Sequence, residues 1–423
     1  MSGNIVNTAL EAVSPAERKL GFSDHLALWG SLGVGLLVIQ AGTFLVPALS
    51  AAHAMAAIVL GSLIGVSLLA WVGWLGAQSG VSSAGLIWPA LGRRFATLPV
   101  AANVLQLLGW SVFEIIVLRD GLSAIARQQL GIDSPAVFTI LTGLLLLGLL
   151  RLSMVGIVRQ FIRRAGLILM LVALGWLTVR FAGEVATAGW AAFWGRAGDG
   201  SMGFGAAVDL VVAMPISWLP LVADYTRYSK NSRSVVAGIG IGYTVANIWC
   251  FALAILIAAV HPGGDMIATI MLAGSGALAL GLLLVDEVDN AYGDLYSAAV
   301  SSHGLLPKLP VGAYGPLLAI VATVIALTLP IQDYQGFLYL LGSVFVPLFG
   351  VVIAHHGKHP LAPSATTPAI VWPGALAWLA GIAVYQLISR LAPDWGASLP
   401  ALAVAFVLYH VLASAGLRRL QAA

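Results

Sequence analysis

The chain has 423 residues, 60% of them apolar and 9% charged, with a formal net charge of +3. An ordinary globular domain carries roughly 25% charged residues, so a water-facing surface is excluded, and disorder and fibrous structure with it. A single cysteine, Cys250, excludes a disulfide scaffold, and basic residues clustered between apolar runs argue for a membrane protein, not a nucleic-acid binder.

Residues 1–25 carry Glu11, Glu17, Arg18, Lys19 and Asp24 and no apolar stretch. They read as a polar leading segment, and the first apolar run is expected to act as both signal and anchor. A bilayer core needs about 20 helical residues per crossing. Twelve apolar runs follow, near 26–49, 54–77, 98–122, 136–150, 165–182, 203–223, 235–259, 276–300, 313–330, 334–354, 369–388 and 399–417. Alternate connections hold Arg18/Lys19, Arg93/Arg94, Arg151/Arg159/Arg163/Arg164, Arg227/Lys230/Arg233, Lys308, Lys358 and Arg418/Arg419, fifteen of the twenty Lys and Arg residues. The excess of positive charge places that face, and both termini, in the cytoplasm. The 183–202 connection, with Trp190 and Trp194, is expected outside, and 151–164 is expected to lie as a basic amphipathic segment on the inner interface. No soluble catalytic domain remains.

Polar residues inside the spans mark the function, because ionisable groups at membrane depth cost about 2.5–3.5 kcal/mol each. The first span carries Gly33, Gly35, Gln40, Gly42 and Pro47. The third places Asn103, Gln106, Trp110 and Glu114 at spacings of three and four, one stripe on one helix face. The sixth carries Asp209, Pro215, Ser217, Trp218 and Pro220. In the eighth, Asp286, Asp289, Asn290, Gly293 and Ser297 fall within about 100° of arc, flanked by Glu287 and Asp294. Four carboxyls so close cannot all be ionised in a lipid-surrounded helix. Either some hold protons, or they share a cation or a protonated substrate.

Glycine and proline interrupt the first and sixth spans, and polar stripes mark the third and eighth. Both pairs are five spans apart, and an odd offset reverses membrane orientation. That is the pattern of an inverted repeat whose broken helices hold substrate and ion at mid-membrane. The repeats are expected at 26–182 and 203–354, joined by the 183–202 loop, with 355–423 supplying a linker and two further helices. Gly238, Gly240 and Gly242 follow no strand and read as helix packing, not a nucleotide loop. His355, His356 and His359 read as a solvated helix end, and Cys250 as a small apolar residue.

At these residues the sequence resembles the nucleobase:cation symporter-1 family over nearly its whole length. The resemblance rests on Trp110 with Glu114 one turn later, on Ser217-Trp218 leading into Asp224-Tyr225-Thr226-Arg227-Tyr228, and on the Gly342–Gly350 segment GSVFVPLFG. It implies an all-α membrane protein of twelve helices, built as a LeuT-type five-plus-five inverted repeat plus two C-terminal helices. Trp110 and Trp218 would sandwich a flat ring, with Gln40 and the polar third-span residue at its edge. Two departures stand out: Glu114 replaces the family's usual amide, and Asp289-Asn290 replaces a Ser/Thr pair that binds sodium. The features are most similar to the hydroxymethylpyrimidine branch, which supplies the pyrimidine half of thiamine.

The expected function is import of a small aminopyrimidine across the inner membrane by sodium- or proton-coupled symport, with no cofactor. Substrate residues are expected to be Gln40, Trp110, Glu114, Ser217, Trp218, Asp286 and Asn290, with the charged partner open between Glu114 and Asp286. A coupling-ion site would use Asp289 or Asn290 with carbonyls near Leu36 and Ile39. Partners are lipid and a flat heterocycle. The rival readings are the same machine carrying cytosine or a purine, a channel, and an intramembrane enzyme.

Overall fold

The computed structural model describes residues 10–152, 167–328, 334–357 and 367–421. Among the described residues all regular structure is helical, apart from one isolated bridge between Leu20 and Ser229. Each of the twelve expected spans is occupied by helix. Among the described residues nine helices are long and apolar enough to cross a membrane, and the bent pair Phe22–Leu32 and Leu36–Thr43 makes a tenth. The other two are the fourth span, Pro135–Leu149, which is short, and the eighth, Gly276–Leu305, which carries Asp286, Glu287, Asp289 and Asp294. The basic segment expected at 151–164 lies almost entirely outside the described residues, as does His359.

Two boundaries differ from the sequence reading. The third span runs from Thr97 to Leu130, beyond the expected end at 122. Charge ends a crossing but not a helix: in the extension Arg127 pairs with Asp133 at 3.1 Å. The 183–202 connection is also partly helical, because the fifth span continues to Ala188 and is followed by Trp190–Gly195.

The two interrupted spans are not alike. The first bends by 51° across Gly33, Val34 and Gly35. Glycine is required at position 33 by close approach: a Cβ there would lie 2.9 Å from Ala246 Cβ and 3.3 Å from Tyr243 Cα on the seventh span. The sixth continues as one crossing, Phe204–Thr226, interrupted only at Trp218. Pro220 sits in the first turn after that interruption, where its missing N–H costs little.

Packing divides the spans into two bundles. The seventh span packs extensively on the first and second, and the second on the sixth; the third packs extensively on the fourth, eighth and ninth. Contacts between the first and eighth spans are much sparser. Glycines let the first bundle close: Gly61 and Gly65 of the second span lie directly against Val208, Val211 and Pro215 of the sixth. The sixth and tenth spans are mostly buried, whereas the eleventh and twelfth turn large apolar side chains such as Leu387, Leu391 and Val407 outward.

Candidate functional site

A helix that stops inside a membrane leaves backbone groups without partners, and lipid cannot supply them. At the bend in the first span the eighth span does so. The Leu36 N–H donates to the Glu287 carboxyl, and Asn290 Nδ2 donates to the Val34 carbonyl at 3.1 Å. Glu287 and Asn290 are three residues apart and so share a helix face. Two residues before Gly33, Ser31 Oγ donates to Asp286 Oδ1 at 2.5 Å, with Asp289 in reach of the same hydroxyl. The acidic arc of the eighth span therefore clamps the irregular stretch of the first.

A cleft opens beside this clamp, at the seam between the bundles. The first bundle lines it with Leu32, Val34, Gly35, Leu37 and Val38, and with Met214, Ser217 and Trp218. Trp110 and Glu114 of the third span and Asn290 and Asp294 of the eighth face them. It spans about 380 Å³ counting its open mouth, but its centre takes little more than a water molecule. A flat ring therefore enters only if the bundles separate slightly.

Both indoles are held by edge contacts. Trp110 meets Tyr334 and Phe337 with ring centroids 6.0 and 5.3 Å apart, and Trp218 meets Trp29 at 6.2 Å and 88°. Tyr334 is itself fixed by donating from its hydroxyl to the Leu37 carbonyl at 3.2 Å. The Ser217 hydroxyl donates to the Met214 carbonyl at 2.7 Å, leaving its oxygen able to accept. Two buried polar atoms of the lining have no partner, Trp110 Nε1, a donor, and Asn290 Oδ1, and Glu114 Oε2 meets no donor group. Buried polar groups are normally satisfied, so the lining calls for a ligand that carries both donors and acceptors.

The structure brings Trp110, Glu114, Ser217, Trp218 and Asn290 together. It does not bring Gln40 or Asp286 to the cleft lining. Gln40 donates from Nε2 to Thr43 Oγ1 at 3.3 Å within its own half-helix, and Asp286 is taken up by Ser31. Of the residues expected around an ion, Leu36 and Asn290 meet at the bend and Asp289 sits near Ser31. Ile39 lies inside the half-helix Leu36–Thr43. Among the described residues no group of three or more His, Cys, Asp or Glu is placed to hold a metal ion. The remaining stripe residues of the third span are structural. Asn103 Nδ2 bonds the Pro220 carbonyl at 3.1 Å and Ser301 Oγ at 2.9 Å, and Gln106 bonds Asn103 at 3.0 Å.

Sequence reasoning missed Asp294 as a lining residue, although it placed it on the flank of the acidic arc. It missed Tyr334 and Trp29 too, which sit near span ends where aromatic residues ordinarily mark the interface. Nothing in an apolar span distinguishes Leu37, Val38 or Met214.

The family model for permeases of cytosine/purines, uracil, thiamine and allantoin matches residues 12–356. No curated protein sequence matches the chain. Among solved structures, Mhp1, a nucleobase-cation-symport-1 family transporter in a closed conformation with bromovinylhydantoin bound, is similar with a TM-score of 0.79 and 18% identity, over 96% of this chain and 94% of that one. The inward-facing conformation of Mhp1 gives 0.78 at 16% identity, over 98% and 96%. A Na+-coupled sialic acid symporter in a substrate-bound outward-open state gives 0.66 at 12% identity, over 97% and 92%. At these identities the likeness shows the fold alone, the all-helical one that these three structures share.

Proposed function

The chain belongs to the family of permeases for cytosine/purines, uracil, thiamine and allantoin, and from that premise we propose that it imports a small flat aminopyrimidine, hydroxymethylpyrimidine, in symport with a cation. The observation that carries this reading is a cleft that holds two indoles and two carboxyls, Trp110 with Glu114 and Trp218 with Asp294. A 4-aminopyrimidine presents an amino N–H beside a ring nitrogen that takes up a proton. A carboxylate pairs with that edge through two parallel charge-assisted bonds, which an amide at position 114 would not supply. Indole faces add stacking and, for a protonated ring, cation–π attraction.

Transport follows from where the cleft lies. One wall comes from the first and sixth spans and the other from the third and eighth, so rocking one bundle against the other would open the cleft to alternate sides. The basic loops support an orientation in the inner membrane with both termini in the cytoplasm. Cytosine shares the amino and ring-nitrogen edge and is the nearest alternative cargo. The test is uptake of radiolabelled hydroxymethylpyrimidine into proteoliposomes, with unlabelled cytosine, uracil and hydantoin as competitors. Saturable uptake that cytosine fails to suppress supports the reading. Uptake blocked by cytosine reassigns the cargo, and no uptake by folded protein refutes it.

A further inference from the structure

The Glu114 and Glu287 carboxyls lie within hydrogen-bonding reach of one another, inside the second bundle where the third span packs on the eighth. Resting on the aminopyrimidine reading of the cleft, we propose that this pair holds one proton in common and hands it to the substrate's ring nitrogen, so that the coupling ion travels on the cargo itself. A hydrogen bond between two carboxyls requires a proton, since a carboxylate oxygen only accepts. The surroundings offer no other neutralisation. The charged or titratable groups facing Glu114 are Glu287, Asp286 and Asp294 of the eighth span and Tyr334 of the tenth. Those facing Glu287 are Glu114, Tyr334, Asp286 of its own span and, from the seventh span, Cys250. No lysine, arginine or histidine is among them.

Independent atoms point to a ligand at the same place. Asn290 is buried with Oδ1 unpartnered, and Trp110 Nε1 is a buried donor with no acceptor. Glu114 lines the cleft, whereas Glu287 does not. Glu114 is thus the residue that touches substrate, and Glu287 positions it. In the step itself, the O–H bond of Glu114 breaks and an N–H bond forms on the ring. The ring becomes a cation paired with the Glu114 carboxylate. Glu287 is left ionised against the Leu36 N–H and the Asn290 amide, which already reach it. The loaded ring leaves with its proton, and the empty pair reloads from the outer side. Each turnover carries one proton and one positive charge.

Because Glu287 also ties down the Leu36 N–H, its protonation is communicated to the bend of the first span. The test has two arms on purified full-length protein. Infrared spectra in D2O should show a carboxylic-acid band in wild type that weakens in both Glu114→Gln and Glu287→Gln, and again when hydroxymethylpyrimidine is added to wild type. An unchanged band in both variants overturns the proposal without reference to cargo. In sodium-free proteoliposomes containing a pH dye, wild type should take up one proton per hydroxymethylpyrimidine. Uptake that requires sodium and moves no protons also overturns it. Affinity in Glu287→Gln should fall about tenfold per pH unit above the ring nitrogen's own pKa, while wild type changes less than about threefold. Parallel pH profiles in the two proteins would reduce Glu287 to a structural role and sink the proposal. If wild type fails to bind the compound in calorimetry, the cargo reading fails, and the ligand-free infrared arm still decides the shared proton.

Discussion

Gly33→Ala is the sharpest probe of how the bend in the first span is held. The added methyl would sit 2.9 Å from Ala246 Cβ, 3.1 Å from the Trp29 carbonyl and 3.3 Å from Tyr243 Cα. Comfortable carbon contacts lie near 3.5–4.0 Å, so the first and seventh spans would have to part by roughly 0.5–1 Å. None of the obstructing atoms belongs to a long side chain that could swing away. The backbone at position 33 is right-handed helical, with φ −86° and ψ −10°, so alanine meets no conformational penalty and the cost is packing alone. Overpacking of this kind costs about 1–3 kcal/mol, and the reduced freedom of the unfolded chain returns about 0.4–1 kcal/mol. A net loss of about 1–2 kcal/mol is expected. Gly240→Ala, on an open face of the seventh span with nothing within 4 Å of the new methyl, should be neutral or stabilising. Thermal unfolding of the two variants in detergent, alongside substrate binding, gives the comparison. Leu32, Val34 and Gly35 line the cleft, so Gly33→Ala should weaken binding as well as lower the midpoint. A Gly33→Ala protein as stable as Gly240→Ala, binding like wild type, would refute the close approach.

Trp110→Ala and Trp218→Ala should each weaken substrate binding by about 1–3 kcal/mol, the usual worth of an aromatic platform under a heterocycle; calorimetric affinities within twofold of wild type would remove that indole from the site. Asn290→Ala leaves the Val34 carbonyl without its 3.1 Å donor and should cost about 1–3 kcal/mol of stability, measured as a lowered unfolding midpoint; an unchanged midpoint would mean that the bend needs no help from the eighth span. Asp209 accepts the backbone N–H groups of Ala397 and Ser398, each at 3.0 Å, where the twelfth span begins. Asp209→Ala should therefore lose about 0.5–2 kcal/mol of stability with substrate affinity intact, and a loss of affinity at full stability would contradict this structural assignment.

The legible part of the site is the part carried by periodicity. Trp110 and Glu114 sit one turn apart and so must share a face, and both reach the cleft. Asn290 and Asp294 stand in the same relation on the eighth span. The illegible part depends on rotation about a helix axis and on local competition for hydrogen bonds. Asp286, inside the acidic arc, turns to Ser31 while Asp294, at its flank, lines the cleft. An arc of about 100° on a helix of 3.6 residues per turn can face more than one neighbour, and only packing decides which acid meets which. Gln40 has the chemistry to contact a ring edge, but Thr43 lies one turn away and takes its amide.

Composition and hydropathy by themselves determined the class of the protein, its twelve crossings and the spans that hold polar groups at depth. These follow from the energy of placing each residue in hydrocarbon, which is a property of the residue and its near neighbours in sequence. Tertiary structure alone decided that the first span bends by 51° while the sixth runs on, that Glu287 and Asn290 satisfy the opened backbone, and that Glu114 and Glu287 meet where the third span packs on the eighth. Those outcomes join residues some 170 to 256 positions apart. They depend on how rigid helices dock, and no local energy encodes that.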